Sequence, residues 1–171
     1  MEFFAPASPG TERALRDELC EIGFASVRLN RGGIPFRGEW IDGWRACLHS
    51  RIAQRIQVLM HTFDAQTPDH LYAGMRDTDW TPYLSQRHTL SVGAVCRSQH
   101  FTHSGFVALK AKDAVVDQIR DRYGDRPDID KDDPDVRIFI YIKDTKVKVY
   151  LDLSEDPLHK RGYRQSTGEA P

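Results

Sequence analysis

Two neighbouring segments of this chain alternate apolar and polar side chains without a break. Val136, Ile138, Ile140 and Ile142 occupy every second position, with Arg137, Phe139, Tyr141 and Lys143 between and after them. Val147, Val149, Leu151 and Leu153 repeat the pattern, interleaved with Lys146, Lys148, Tyr150 and Asp152. Successive side chains of a strand point to opposite faces, so each segment is expected to be a strand with one buried and one polar face. Lys143-Asp144-Thr145 then joins them as a hairpin. A slip of one residue would turn every isoleucine to water, so the register is strongly specified.

The preceding residues supply what such a hairpin packs on. Val107, Ala111, Ala114, Val115, Gln118 and Ile119 recur at helical spacing, which predicts a long helix from Ser104, its expected cap, to about Tyr123, with Gly124 as its stop. Thr89–Val95 reads as a strand, and Asp69–Arg76 as a helix with Leu71, Tyr72 and Met75 on one side. Earlier, Glu2–Pro6 reads as a strand. Ser8-Pro9 reads as the cap and first residue of a helix carrying Leu15, Leu19 and Ile22, which Gly23 ends. Val27–Asn30 and Ile34–Arg37 are expected to be strands around Arg31-Gly32-Gly33. A second helix over Ile41–Ile52 and a strand over Arg55–Phe63 follow. The resulting order is β-α-β-β-α-β, a ferredoxin-like unit completed in residues 1–66.

Charge excludes some partners and localises others. The 171 residues carry 24 Lys+Arg against 25 Asp+Glu, a formal charge of -1, so nucleic acid or anionic lipid can be held only by a local patch. Residues 1–66 contain 8 Arg, no Lys and 8 acids, whereas all 7 Lys fall in 67–171. In that second part Asp125, Asp128, Asp130, Asp132, Asp133 and Asp135 crowd one stretch, which reads as a solvated acidic loop and leaves a basic remainder. Apolar runs are too short for a membrane helix and the N-terminus has no signal-peptide pattern, so the expected location is the cytoplasm, with no membrane partner. Three scattered cysteines make neither a disulfide framework nor a zinc knuckle.

Motifs for self-contained chemistry are missing. No G-x-G-x-x-G, Walker or H-E-x-x-H pattern occurs, nor an Asn/Asp-Pro-Pro-aromatic tetrad. Cys96, His100 and His103 have loop-ligand spacing but lack a fourth partner. The expectation is therefore no catalytic, cofactor or metal site within these residues. A phosphate-binding surface is the remaining candidate. Arg97, Ser98, His100, Thr102, His103 and Ser104 are donors in a loop feeding a helix N-terminus, where backbone N–H groups favour anions. Lys110 and Lys112 follow on the helix. Lys143, Lys146 and Lys148 lie on the polar face of the hairpin with Tyr141 and Tyr150, which suits phosphate contact and base stacking. The alternative is that these lysines only protect a solvated or edge strand.

Residues Leu90–Ser98, Ser104–Asp117, Pro134–Ile140 and Val147–Ser154 resemble the THUMP domain, an RNA-binding module of tRNA and rRNA modification enzymes. Pro157-Leu158-His159-Lys160-Arg161-Gly162-Tyr163-Arg164 is similar to the segment that links THUMP to the catalytic domain in bacterial methyltransferases acting on a guanine N2 of large-subunit rRNA. Phe3-Phe4-Ala5 and Cys47–Ala53 are similar to the same family. The resemblance implies an α/β (α+β) chain in three parts. These are a ferredoxin-like domain over 1–66, a THUMP domain with a mixed sheet and C-terminal β-hairpin over 67–155, and a linker over 156–171 to a catalytic domain in cis.

It further implies an RNA-binding N-terminal fragment of a 23S rRNA guanine-N2 methyltransferase, itself not catalytic, that positions structured RNA. S-adenosylmethionine would belong to the parent protein and not to this fragment. The implied RNA contacts are Arg97, Ser98, Lys110 and Lys112, then Lys143, Lys146 and Lys148. Lys160, Arg161 and Arg164 would position RNA or join the domains, with Tyr163 packed at the junction. The partner is RNA, rRNA first and tRNA second. A THUMP module of a tRNA-modifying enzyme and a ferredoxin-like small-molecule regulatory domain are the alternatives. A protein-docking role would show itself by exposed Trp40, Trp44 or Trp80, which are expected to be mostly buried.

Overall fold

A computed structural model describes residues 1–25, 27–154, 157 and 158. They divide into two compact units, Met1–Gln57 with the described residues from Leu153 onward, and Val58–Asp152.

In the first unit β1 (Glu2–Pro6) pairs antiparallel with β2 (Gly33–Arg37), Phe3 lying opposite Phe36. Their rings stack at 5.1 Å, and Phe24 meets Phe36 at 4.7 Å. Leu15 and Leu19 of α1 (Glu12–Ile22) complete this core. α1 starts a turn later than the Ser8-Pro9 pair predicts. Gly10 adopts a left-handed φ of 88°, which no helix accommodates, and Thr11 becomes the N-cap. Residues 27–30 form no strand. Arg28, Leu29 and Asn30 are exposed, and β2 takes its ladder partner from β1, so this short run has no core face to bury. Among the described residues the order up to β3 (Gln57–Asp64) is therefore β-α-β-α-β.

α2 (Trp40–His49) packs through its small residues. A Cβ on Gly43 would stand 2.6 Å from Phe3 Cε1, and Ala46 is fully buried. That close approach turns the adjacent Trp44 outward, 56% exposed, contrary to the expectation of burial. Trp80 is fully buried. Glu18 is nine-tenths buried and holds the loop after α2. It accepts hydrogen bonds from Ser50 Oγ at 2.6 Å, Arg51 N at 2.9 Å and Ile52 N at 3.3 Å.

In the second unit the strand order is β3-β7-β6-β4-β5, with β4 Thr89–Arg97, β5 Asp128–Ile129, β6 Val136–Lys143 and β7 Lys146–Asp152. β4 runs parallel to β6 and β5, and β6 antiparallel to β7, so the sheet is mixed as expected. The parallel β4–β6 pair is connected through α4 (Ser104–Tyr123), as a parallel pair requires a crossover. α3 (Pro68–Arg76) packs beside α4, and its Gly74 approaches Phe63 so closely that a Cβ would lie 2.3 Å from the ring. Ile138, Ile140, Ile142, Val147 and Val149 are fully buried, along with Val107, Ala111, Ala114, Val115 and Ile119 of α4. Each large side chain contributes about 1.5–3 kcal/mol. Gln118 of α4 fastens the segment after α3: its Oε1 accepts from Trp80 N at 2.8 Å, and its Nε2 donates to the carbonyls of Arg76 and Thr78. No helix among the described residues is long and apolar enough to cross a membrane.

Removing the Glu18 carboxylate orphans three donors at once. Glu18→Ala should lower unfolding stability by about 3 kcal/mol, read as a shift in urea midpoint at unchanged slope. A change below about 0.5 kcal/mol would show that this cluster does not hold the loop.

Candidate nucleic-acid interface

Register determines which candidate side chains meet. Arg97 of β4 lies opposite Lys143 of β6, and Lys143 opposite Lys146 of β7. Paired residues of neighbouring strands share a face, and strands stand about 4.8 Å apart. Three cations from three consecutive strands therefore form one row at one end of the sheet. All three are exposed. Lys148 lies on the same face one step inward, opposite Tyr141, and Tyr150 opposite Phe139. Tyr150 is buried, so of the two tyrosines in the sequence reading Tyr141 offers the accessible ring.

The row is held by backbone geometry. Asp144 takes a left-handed φ of 54° in the hairpin turn, a conformation aspartate tolerates. Its N–H donates to the Arg97 carbonyl at 2.9 Å, and Ser98 Oγ donates to the Asp144 carbonyl. Ser98 Oγ also accepts from His100 N at 3.1 Å, so the serine spans the ends of β4 and the hairpin. Asp64 of β3, which the sequence reading did not single out, accepts from Lys146 Nζ at 3.2 Å and from Thr145 Oγ1 at 3.0 Å. Those two hydrogen bonds, the lysine's first, hold the Asp64 carboxyl below its ordinary value. Arg97 and Lys143 form no ion pair among the described residues. They are the row's available positive charge.

The α4 lysines lie elsewhere. Positions two apart on a helix differ by about 200°, which sends Lys110 and Lys112 to opposite flanks. Lys110 Nζ is 3.6 Å from Asp69 and 5.1 Å from the centre of the Tyr72 ring, beside α3. Lys112 is 2.9 Å from Asp113 and lines a depression with Val116, Arg126, Pro127, Asp128 and Ile129, against the acidic segment. Neither joins the Arg97–Lys143 row. The helix start also differs from expectation. The N-cap is His103, whose Nδ1 accepts from Phe106 N at 3.0 Å, while Ser104 Oγ accepts from Cys96 N at 3.3 Å. One helix N–H is thus already satisfied by the chain itself. Lys160, Arg161, Tyr163 and Arg164 lie outside the described residues.

A carboxyl with a lowered pKa contributes stability above its ordinary value, and loses it as pH falls through the lowered one. Acid titration should therefore release Lys146 only below the ordinary Asp64 value of 3.8. Carbon-detected NMR of the Asp64 carboxyl should show its midpoint rising toward that value in Lys146→Met. An unmoved midpoint would mean that the ion pair does not form in solution.

Comparison with known proteins gives these features their context. Residues 65–152 match the family model of the THUMP domain, and residues 2–57 that of the RlmL ferredoxin-like domain. The chain is 42% identical over 99% of its length to a ribosomal RNA large subunit methyltransferase K/L of Magnetococcus marinus, of which it covers 23%. The crystal structure of a predicted N6-adenine-specific DNA methylase from Listeria monocytogenes superposes with a TM-score of 0.82 at 24% identity, covering 99% of this chain and 44% of that one. A putative methyltransferase, SMU.472, complexed with SAH, gives 0.79 at 24% identity over 96% of this chain and 44% of that one. These solved structures share the fold. The chain spans about a quarter of the length of the curated relatives it matches. With a THUMP model covering half its residues and the RlmL ferredoxin-like model covering most of those before it, the chain belongs to the THUMP-domain family, in the ferredoxin-like-plus-THUMP arrangement of the rRNA large subunit methyltransferases K/L.

Proposed function

We propose that this chain is the RNA-holding region of an rRNA methyltransferase that acts on a guanine N2 of 23S rRNA, and that it presents structured RNA to a catalytic domain in cis. The observation that carries the reading is the Arg97–Lys143 row on a THUMP framework. Two cations without acidic partners among the described residues stand on adjacent strands that are both interior to the sheet, where edge protection does not account for them. Ser98, Lys146 and Lys148 flank them as supporting contacts. Lys110 and Lys112 contribute more weakly, because each already faces an aspartate. The acidic segment 125–135 lies with β5 beside Thr89 and Leu90, at the other end of β4 from Arg97, and in this reading it turns away from the RNA. The kinship to methyltransferases K/L supports rRNA over tRNA as substrate.

A methyltransferase draws its methyl group from a donor, which in this reading is S-adenosylmethionine. The residues here do not fit it. The depression at Lys112 has no aromatic wall for an adenine ring, and the sequence has neither a glycine-rich phosphate or nucleoside loop nor an Asn-Pro-Pro-aromatic tetrad. The chain's own contribution is to bind and orient. Linkage to a catalytic domain raises the effective concentration of RNA there, so modest intrinsic affinity suffices.

Each phosphate neutralised steepens the log–log dependence of affinity on salt by roughly 0.7–0.9. Arg97→Ala/Lys143→Ala should therefore flatten the slope for an rRNA fragment by about 1.4–1.8, measured by fluorescence anisotropy across a salt series. Lys110→Ala/Lys112→Ala should change it by less than half as much. Equal slopes for the unaltered chain and the Arg97/Lys143 variant would remove the row from the interface.

A further inference from the structure

The face that carries the cationic row also carries an aromatic strip. β6 places Phe139 and Tyr141 two residues apart on it, both half-buried. Such positions lie roughly 6.5–7 Å apart along a strand, far enough for each ring to meet its own flat ligand. In register beside them on β4 are Gly93 and Val95. Gly93 leaves bare backbone next to Phe139: a Cβ there would make only an ordinary 3.6 Å contact with Cδ2 and meet nothing else within 4 Å. Val95 is 41% exposed. One pair further along, at the end of the same strands, stand Arg97 and Lys143.

Within this unit α3 packs on the other face through Gly74 and Phe63, and α4 lies beside α3, so neither helix covers the strip. A half-exposed aromatic strip with two cations at one end suits one ligand chemistry well. An apolar peptide laid along it would desolvate Arg97 and Lys143 without compensation. A nucleic acid would neutralise them. A duplex hides the faces of its bases, whereas unpaired nucleotides can splay them onto aromatic rings.

We infer that this strip is a stacking site for unpaired RNA, with a base on the Tyr141 ring over Val95 and the neighbouring phosphate on Arg97 and Lys143. The inference rests on the RNA-holding reading above and adds to it the form of RNA recognised at this face. Stacking on an aromatic ring is tolerant of base identity, so the site selects single-stranded character and not sequence.

The test compares a labelled, unstructured oligouridine with a blunt-ended RNA hairpin by anisotropy at one salt concentration. The unaltered chain should bind the oligouridine more tightly. Tyr141→Leu, which keeps an apolar side chain, should weaken oligouridine binding about fivefold or more and leave the hairpin unchanged, while Tyr141→Phe retains binding. Val95→Glu, at an exposed position, should weaken the oligouridine as well by setting a carboxylate beside the ring. Oligouridine binding unaffected by Tyr141→Leu and Val95→Glu, or hairpin binding as tight as oligouridine binding, would overturn the stacking site and leave the RNA-holding role standing. Absence of binding to either RNA by the unaltered chain would overturn both.

Discussion

Eight consecutive residues of β4, Leu90 to Arg97, stand in parallel register with Val136 to Lys143 of β6. That pairing is the constraint on which the second unit depends. It closes the crossover through α4, sets the buried face of β6 against the helices, and places the polar ends of both strands side by side. Its start is fastened by Asp135, which accepts from Thr89 N at 2.7 Å and Thr89 Oγ1 at 2.9 Å and so keeps its carboxyl below the ordinary range. Its end is fastened by the Asp144 N–H on the Arg97 carbonyl and by Ser98 on the turn. A shift by one residue would put Ile138, Ile140 and Ile142 in water and separate Arg97 from Lys143. The same register thus serves the core and the interface.

Charge on this chain is arranged by partnership more than by quantity. Lys146 is answered by Asp64, Lys110 by Asp69 and Lys112 by Asp113. Exposed pairs of this kind contribute little to stability, commonly below 1 kcal/mol, but they decide which cations are left to attract a polyanion. This is how a chain with a formal charge of -1 can carry a local positive row. The acidic crowd near Asp130 is satisfied within its own loop, where Asp130 accepts from the N–H groups of Asp132 and Asp133.

The differences from expectation in the first unit have a common origin. Val27–Asn30 has strand-like residues, and Ser8-Pro9 has a helix-start signature, yet neither local signal wins. The first has no core to cover, Arg28, Leu29 and Asn30 all being exposed. The second is overridden by Gly10, which takes a backbone conformation incompatible with the helix. Trp44 is exposed because the helix carrying it approaches Phe3 through Gly43, a contact that local sequence does not announce. In the second unit, by contrast, α3, α4 and the hairpin fall within a residue or two of where periodicity and the glycine at 124 put them.

Periodicity alone determined α3, β4, α4 and the hairpin of the second unit, the isoleucine-rich buried face of β6, and the set of side chains on the opposite face of the hairpin; the two-residue β5, inside the stretch read as an acidic loop, it did not. Alternation in a strand and the 3.6-residue turn of a helix are local properties of the backbone, so they are readable from neighbours in the chain. Tertiary structure alone decided that Arg97 meets Lys143, that Asp64 claims Lys146, and that Lys110 and Lys112 part to opposite flanks of α4. Those outcomes depend on which strands pair, in which register, and on which acids from distant segments come within about 4 Å. Coulombic partnership follows distance in space, and distance in sequence does not encode it.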